Sequence, residues 1–362
     1  MRYYICLLFS TLLLGCTADK LAPQHIYDEV ESGVVLICVD YKMYLELPEG
    51  RGVFSLDEEG NVSSVDDNVY HTAYGTGFFI DKVGTIMTNK HVVKPELDEE
   101  ALKKVSATLH YKYEMDLQKA EEEYLRMQWT VQTAPSSSYN ELIKMITPDN
   151  LSEYDNYKTA QKLLSFVSNI DEMRKHIRVF SSISIVYDNS EGRVLEKNPE
   201  SRAHNSSMSK ETAVIKKVSK HENIDLALIQ INARKTPESC FVFNLEGKGL
   251  EKEPEGLKKL LTKDINSDLQ IDDDLYMIGF NAGPILASTK NGVKSQLTSG
   301  KVTQTPDGER ILYSIPTVEG SSGSPVVNAY GQLVGVNYAK LVMSDNFNFG
   351  IPINQVKYFM NE

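Results

Sequence analysis

The sequence of 362 residues has few cysteines and a deficit of basic residues. It contains only four cysteines and seven histidines, with no H-E-x-x-H motif and no metal-ligand spacing, so nothing supports a zinc site. The 38 Lys and Arg are outnumbered by 50 Asp and Glu, and the resulting net charge of -12 disfavours binding to nucleic acid. We therefore expect no metal, no cofactor and no nucleic-acid partner. The 41% of hydrophobic and 24% of charged residues are typical of a folded soluble chain.

Long hydrophobic runs are also absent, except within the first sixteen residues. These read MRYYICLLFSTLLLGC, with one basic residue and an apolar stretch that ends before Gly15 and Cys16. The pattern predicts a signal peptide over residues 1–15. The run LLGC resembles the bacterial lipobox, which implies cleavage before Cys16 and lipidation of its thiol; an ordinary signal with a chance cysteine is the alternative. We expect a lipid-anchored protein of the bacterial cell envelope, outside the cytoplasm, whose membrane contact is this anchor.

Two cysteines remain after the signal peptide and Cys16 are set aside, namely Cys38 and Cys240. An oxidising compartment allows them to pair. A disulfide also requires a short Cα separation, which the sequence does not supply. Whether the two residues pair is left open.

Short apolar runs rich in β-branched residues recur along most of the chain and are separated by glycine and polar turns. This pattern predicts an all-β barrel or sandwich. A longer loop is expected from Tyr41 to Tyr74. The predicted strands are Gly33–Tyr41, Gly77–Ile80, Val179–Tyr187, Thr212–Val218, Leu226–Ile231, Leu275–Phe280, Val293–Val302, Ile311–Ile315, Gln332–Tyr338 and Phe347–Ile351.

Glycine is missing from Thr85 to Glu191, although the chain has 22 glycines. From Pro95, apolar residues repeat at steps of three and four, which indicates an amphipathic helix. A second helix is predicted from about Asn150 to about Lys175. The simplest architecture is a β domain interrupted by an antiparallel helical pair, in the insertion 95–178. The insertion is interpreted equally well as a lid or partner-binding arm and as a structural addition.

Three polar residues in separate motifs could act together in acyl transfer. Ser322 lies in GSSGSP, a turn of small residues in which backbone N–H groups can converge beside a hydroxyl. His91 ends a predicted hairpin, GTGFFID followed by GTIMTNKH, and histidine is eligible as a general base. Asp225 precedes the apolar run LALI, where its carboxylate can orient an imidazole.

These motifs together resemble trypsin-like serine peptidases, most closely the HtrA (Deg) branch and the related glutamyl endopeptidases. The order His, Asp, Ser is that of the trypsin-like class. The resemblance implies a mainly β, trypsin-like double β-barrel, built from residues 16–94 and 179–362. It further implies that His91 is the general base, Asp225 its orienter and Ser322 the nucleophile, with the N–H groups of Gly320 and Ser322 as the oxyanion hole. Polypeptides are the substrates that it implies.

The resemblance also has departures that bear on specificity and control. Thr317 matches a pocket threonine of glutamyl endopeptidases, but Asn337 replaces their pocket histidine, and Pro316 brings no charge to the pocket base. Small to medium aliphatic side chains, as in HtrA enzymes, are therefore expected before the scissile bond. Ser321 stands where digestive members carry an aspartate that pairs with a new N-terminal ammonium, so no activation by N-terminal cleavage is expected.

HtrA proteins commonly carry a PDZ domain after the peptidase, and we expect none here. Two functional hypotheses remain open at this point. The first is an active serine endopeptidase. The second is a catalytically latent trypsin fold that binds partners or clients through its helical insertion, because motif residues alone do not show a formed oxyanion site.

Overall fold

The protein is described here from a computed structural model. The structure describes residues 20–65, 70–133, 148–187, 211–246, 269–289, 292–340 and 348–362. The predicted signal peptide and Cys16 lie outside these ranges, as does Phe347 at the start of the last predicted strand. Within the described ranges, no helix has the length and apolar character needed to cross a membrane.

The first half of the β structure is an eight-stranded sheet. Its strands are β1 (Val34–Glu46), β2 (Val53–Leu56), β3 (Val62–Ser64), β4 (His71–Phe79), β5 (Thr85–Thr88), β6 (Ile177–Val186), β7 (Glu211–Val218) and β8 (Ala227–Ile231). They are ordered β3-β2-β1-β4-β5-β8-β7-β6, and β1 also pairs with β6. That extra pairing closes six of the strands into a barrel, which β2 and β3 extend.

The second half is a six-stranded sheet, and a small hairpin lies between its first two strands in the sequence. Its strands are β9 (Asp274–Gly279), β12 (Gln296–Lys301), β13 (Ile311–Tyr313), β14 (Pro325–Asn328), β15 (Leu333–Lys340) and β16 (Asn348–Pro352); the hairpin is β10 (Ser288–Thr289) with β11 (Gly292–Val293). The sheet order is β12-β9-β14-β15-β16-β13, and a bridge from Val302 to Tyr313 curls it back on itself. The predicted mainly β, trypsin-like double β-barrel is confirmed.

The segment predicted as a loop from Tyr41 to Tyr74 contains more structure than expected. Strand β1 continues to Glu46 and pairs with β2, which in turn pairs with β3. Burial explains the extension, because Met43 and Leu45 on β1 are almost completely buried. The prediction of a loop was therefore wrong over these residues.

The described helices are mostly short, apart from two. They are α1 (Pro23–Val30), α2 (Lys90–Val93), α3 (Glu99–Thr133), α4 (Pro148–Val167), α5 (Ile170–Lys175), α6 (Pro284–Ala287) and α7 (Ile353–Asn361); short 3₁₀ turns lie at Glu31–Gly33 and Pro48–Gly50. The predicted helical insertion is present. Ser106 on α3 donates to the carbonyl of Val167 at 2.6 Å, and Tyr124 stacks on Tyr157 at 5.7 Å, so α3 and α4 run antiparallel.

The helix ends differ from the predicted ones for a local reason. Helix α3 begins four residues after Pro95, because the carboxylate of Asp98 accepts the N–H of Ala101 at 2.7 Å and caps the first turn. The second predicted helix is broken into α4 and α5. Asn169 accepts the N–H of Glu172 at 3.1 Å and starts a new helix there.

The chain divides into two compact units, each with its own buried residues. Of the described residues, one unit comprises 20–39, 72–93 and those from 182 onward, and the other comprises those within 40–71 and 94–181. In the second unit, the apolar face of α3 is buried, including Leu102, Val105 and Leu109. Cys38 and Cys240, both in the first unit, are buried thiols, so the disulfide that the sequence left open is not formed.

A pair of leucines on α3 tests the burial of its apolar face. Leu109 is 1% exposed and Leu125 is 54% exposed. Leu109→Ala should lower the free energy of unfolding by about 2–5 kcal/mol, because it leaves a cavity, whereas Leu125→Ala should change it by about 0.5 kcal/mol or less. Urea unfolding followed by far-ultraviolet circular dichroism measures both. Equal losses for the two variants would contradict the placement of this face.

Candidate active site

The register of β5 and β8 brings His91 and Asp225 together. Thr88 pairs with Ala227 in this antiparallel ladder. His91 lies three residues after Thr88, and Asp225 lies two residues before Ala227. Because the strands are antiparallel, both residues lie beyond the same end of this strand pair. The N–H of Lys90 and the side-chain amide of Asn89 donate to the carbonyl of Asp225, at 3.4 and 2.8 Å. His91 therefore stands in the first turn of α2, not at a strand end.

The carboxylate of Asp225 uses both oxygens on His91. Oδ2 lies 2.5 Å from the imidazole Nδ1, and Oδ1 accepts the backbone N–H of the same residue at 3.0 Å. An ionised carboxylate only accepts hydrogen bonds, so the proton of the neutral ring is on Nδ1 and Nε2 is the acceptor. The imidazole is 50% exposed and the carboxylate 22% exposed. This is the orientation and tautomer that a general base needs.

Thr76 on β4 holds the loop that carries Ser322. Its N–H donates to the carbonyl of Ser322 at 2.8 Å, and its hydroxyl donates to the carbonyl of Gly320 at 2.8 Å. The carbonyl of Thr76 accepts the hydroxyl of Thr88 at 2.7 Å. Thr88 is three residues before His91, so the pair of strands that precedes His91 also contacts the Ser322 loop, through Thr76.

The Ser322 loop is a closely packed turn in which two glycines have positive φ. Gly320 has φ 90°, and a Cβ there would lie 2.4 Å from the carbonyl oxygen of Phe280. Gly323 has φ 86°, and its Cβ would lie 2.1 Å from the carbonyl oxygen of Thr76. Neither the N–H of Gly320 nor that of Ser322 donates to another described residue. Both remain available to an incoming acceptor, as an oxyanion hole requires.

The three residues predicted for the specificity pocket lie near this loop in different environments. Pro316 is exposed, whereas Thr317 and Asn337 are buried. The hydroxyl of Thr317 donates to Oδ1 of Asn348 at 2.6 Å, and Nδ2 of Asn348 donates to the carbonyl of Ile315 at 2.6 Å. Asn348 is fully buried and was not predicted.

A polar groove of about 920 Å³ adjoins the carboxylate of Asp225. Arg310, Tyr338 and Tyr358 contribute to its lining. The pKa of Tyr338 is raised, mainly because the side chain is buried. The cation of Arg310 opposes this shift, and the carboxylate of Asp225 adds to it. Among the described residues, its lining includes Asp225 but neither His91 nor Ser322.

The site residues that sequence reasoning missed were Thr76, Thr88 and Asn348. Thr76 and Thr88 stand inside the two stretches that carry the resemblance: Thr76 lies between the glycines of G-T-G, and Thr88 is the first residue of T-N-K-H. Thr76 acts through hydrogen bonds to a loop more than two hundred residues away, and Thr88 acts by binding the carbonyl of Thr76, so no local pattern reveals either role. Asn348 follows a segment without a matching motif, so the sequence offered no signal for it.

Comparisons with known proteins agree with this geometry at the level of the domain. Residues 174–336 match the family model described as "Trypsin-like peptidase domain", a range that contains Asp225 and Ser322 and begins after His91. The comparison thus shows that this part of the chain is similar to a trypsin-like peptidase domain.

Three curated glutamyl endopeptidases of Staphylococcus epidermidis are each 32% identical to this chain over 89 residues. The matched segment covers 25% of this chain and 28% of the length of those relatives. Among solved structures, the serine endoprotease from Yersinia pestis aligns with a TM-score of 0.42 and 14% identity, over 95% of this chain and 66% of that one.

The close approach at Gly323 can be tested against a glycine of the same conformation. Gly308 has φ 85°, but the nearest atom to its Cβ would be Nδ2 of Asn354 at 3.6 Å. Gly308→Ala should cost about 1–2 kcal/mol for the left-handed backbone alone. Gly323→Ala should cost about 1–3 kcal/mol more, because Thr76 and Thr88 must move. Urea unfolding measures both losses, and equal losses would show that the Ser322 loop is not packed against β4.

Proposed function

We propose that this protein is a serine endopeptidase that cleaves polypeptides through a Ser322 acyl-enzyme. The observation that carries the proposal is the pair of hydrogen bonds by which Asp225 holds His91, since they leave Nε2 of the ring as the acceptor. The trypsin-like peptidase domain matched over residues 174–336 supports the same assignment.

The proposed reaction begins when Nε2 of His91 takes the proton of the Ser322 hydroxyl as Oγ attacks the scissile carbonyl. The carbonyl oxygen becomes an oxyanion, which the N–H groups of Gly320 and Ser322 stabilise. The imidazolium, held by the Asp225 carboxylate, then gives its proton to the leaving amine as the C–N bond breaks. Water, deprotonated by His91, attacks the resulting ester; carboxylic acid product and serine are released.

The proposed substrate preference is for an uncharged side chain before the scissile bond, as in the HtrA branch. Thr317, Asn337 and Asn348 are neutral and are hydrogen-bonded within the protein. A glutamate side chain would lose its hydration beside these groups without gaining a cation. We therefore do not propose for this chain the glutamyl endopeptidase activity that the Staphylococcus epidermidis relatives are named for.

The proposed location is the outer side of a bacterial membrane, with lipid on Cys16 as the anchor. The support is the N-terminal sequence, in which an apolar stretch of signal-peptide length ends in LLGC. A diacylated N-terminal cysteine supplies two chains, and two lipid signals are needed for stable attachment to a membrane.

A fluorophosphonate probe tests the proposed activity directly, because it modifies only an activated serine beside a formed oxyanion hole. The wild-type protein, without residues 1–15, should be labelled, and intact mass with peptide mapping should locate the adduct on Ser322. Ser322→Ala should abolish labelling. Ser295→Ala is the matched control, since Ser295 is a buried serine whose hydroxyl has no partner among the described residues, and it should label at the wild-type rate.

A folded wild-type protein that does not react would exclude the proposed peptidase. It would favour the latent trypsin fold instead, with the helical insertion as the binding element. Labelling that persists in Ser322→Ala would show that another serine is the nucleophile.

The lipid anchor is tested in a bacterial host that expresses the whole chain. The wild-type protein should partition into the detergent phase of Triton X-114 and carry the mass of the lipid on the peptide that begins at Cys16. Cys16→Ser should lose both properties. Cys6→Ser, which changes the other cysteine of the N-terminal segment, should retain both. Equal partitioning of Cys16→Ser and wild-type protein would exclude this anchor.

A further inference from the structure

The side chain of Asn337 on β15 contacts the residue that immediately precedes Ser322. Asn337 is 2% exposed. Its Nδ2 lies 2.9 Å from the carbonyl oxygen of Ser321, and its Oδ1 lies 2.7 Å from the hydroxyl of Tyr313. Because a carbonyl oxygen only accepts, the amide must direct its donor to Ser321 and its oxygen to Tyr313. The amide of Asn337 is thus engaged by the protein itself and not directed to a substrate.

Tyr313 fixes the other end of this contact. It is fully buried in β13, and its ring packs so closely on the backbone of Gly350 that a Cβ there would lie 2.9 Å from Cε1. Its hydroxyl donates to Asn337 and also lies 3.0 Å from the carbonyl of Phe349. Burial raises the pKa of Tyr313 well above its ordinary value, so the hydroxyl keeps its proton in neutral solution.

The backbone of Asn337 binds the other side of the nucleophile. Its N–H donates to the carbonyl of Ser324 at 2.9 Å, and its carbonyl accepts the N–H of Gly323 at 2.8 Å. The hydroxyl of Ser321 donates to the carbonyl of Val318 at 2.6 Å and closes the turn. One buried asparagine therefore contacts the chain on both sides of Ser322.

We propose that Tyr313 and Asn337 are positioning residues that hold the loop from Gly320 to Ser324 in its reactive form. The proposal rests on the proposed peptidase function. Tyr313 holds the amide of Asn337, which holds the carbonyl of Ser321, and the N–H groups of Gly320 and Ser322 are thereby kept directed to the reacting carbonyl. All of the groups are neutral. Fixing the loop in this way requires no ion pair.

Two variants remove this contact while keeping the shape of the side chains. Tyr313→Phe keeps the ring on Gly350 and removes the hydroxyl, and Asn337→Asp replaces the donor to Ser321 with an acceptor. Each should slow fluorophosphonate labelling and lower kcat for p-nitrophenyl acetate by about tenfold to a hundredfold, with KM within about twofold, because a misplaced oxyanion donor weakens only the transition state.

The matched control is Tyr187→Phe, which removes the hydroxyl of another partly buried tyrosine. That hydroxyl donates to the carboxylate of Glu211 at 3.0 Å, away from the Ser322 loop. Tyr187→Phe should label at the wild-type rate even if its urea midpoint falls as far as that of Tyr313→Phe. Equal slowing in Tyr187→Phe and Tyr313→Phe would show an effect of stability alone and would overturn the positioning role.

The pH dependence of Asn337→Asp gives a second, independent reading. Protonation of the new carboxyl restores an O–H donor toward Ser321, so the ratio of variant to wild-type labelling rate should rise as the pH falls from about 7 to about 5. Tyr313→Phe should show a constant ratio over this range. A constant ratio for Asn337→Asp would contradict the contact with Ser321.

The outcomes separate this proposal from the one on which it rests. Wild-type protein that remains unlabelled would overturn the peptidase function and, with it, the positioning role of Tyr313 and Asn337. Wild-type protein that labels on Ser322, with Tyr313→Phe and Asn337→Asp reacting equally fast, would leave the peptidase in place and overturn the positioning role. If Asn337→Asp does not fold, Tyr313→Phe and its control decide the question.

Discussion

The buried hydrogen bonds of Thr76 are the interaction on which the candidate site depends. This threonine lies on β4 of the first sheet, is fully buried, and contacts the carbonyls of Ser322 and Gly320 in the loop of the second. Its hydroxyl also accepts the N–H of Phe280 at 3.0 Å. One residue thus joins the end of β9, the Ser322 loop and the strand pair that precedes His91. Each such bond contributes about 1 kcal/mol net, but leaving a buried partner unpaired costs more, so the set is formed or lost together.

The Ser322 loop is held from two sides by uncharged groups. Thr76 binds its carbonyls from one sheet, and the amide of Asn337 binds the carbonyl of Ser321 from the other. Buried neutral hydrogen bonds avoid the desolvation cost of a buried ion pair and do not require that a charged group be created. A loop held in this way can be fixed in one conformation as soon as the two sheets form.

Sequence patterns predicted the fold class and named candidate site residues, but not the contacts that hold them. The β-branched runs gave most strands because burial on a pleated surface has a local signature, and the glycine-free stretch gave the helical pair. Strands β2 and β3 were missed, since short runs with exposed residues resemble a loop. The roles of Thr76 and Asn348 were not predictable, because their partners are distant in sequence. Asn337 was noticed for its position, but only the structure shows that its amide faces Ser321 and Tyr313.

The long insertion between His91 and Asp225 is compatible with the site because pairing of strands, not sequence distance, determines their approach. The two residues are 134 positions apart, yet the ladder of β5 with β8 places Ile86 opposite Ile229 and Thr88 opposite Ala227. A slip of one residue would turn every side chain of β8 to the other face and bury its polar residue, so the register is strongly fixed. Lengthening a connection costs little by comparison, about 0.6 kcal/mol for each doubling of a flexible loop. A helical pair that folds on its own buried face can therefore be added between these strands while His91 and Asp225 keep their hydrogen bonds.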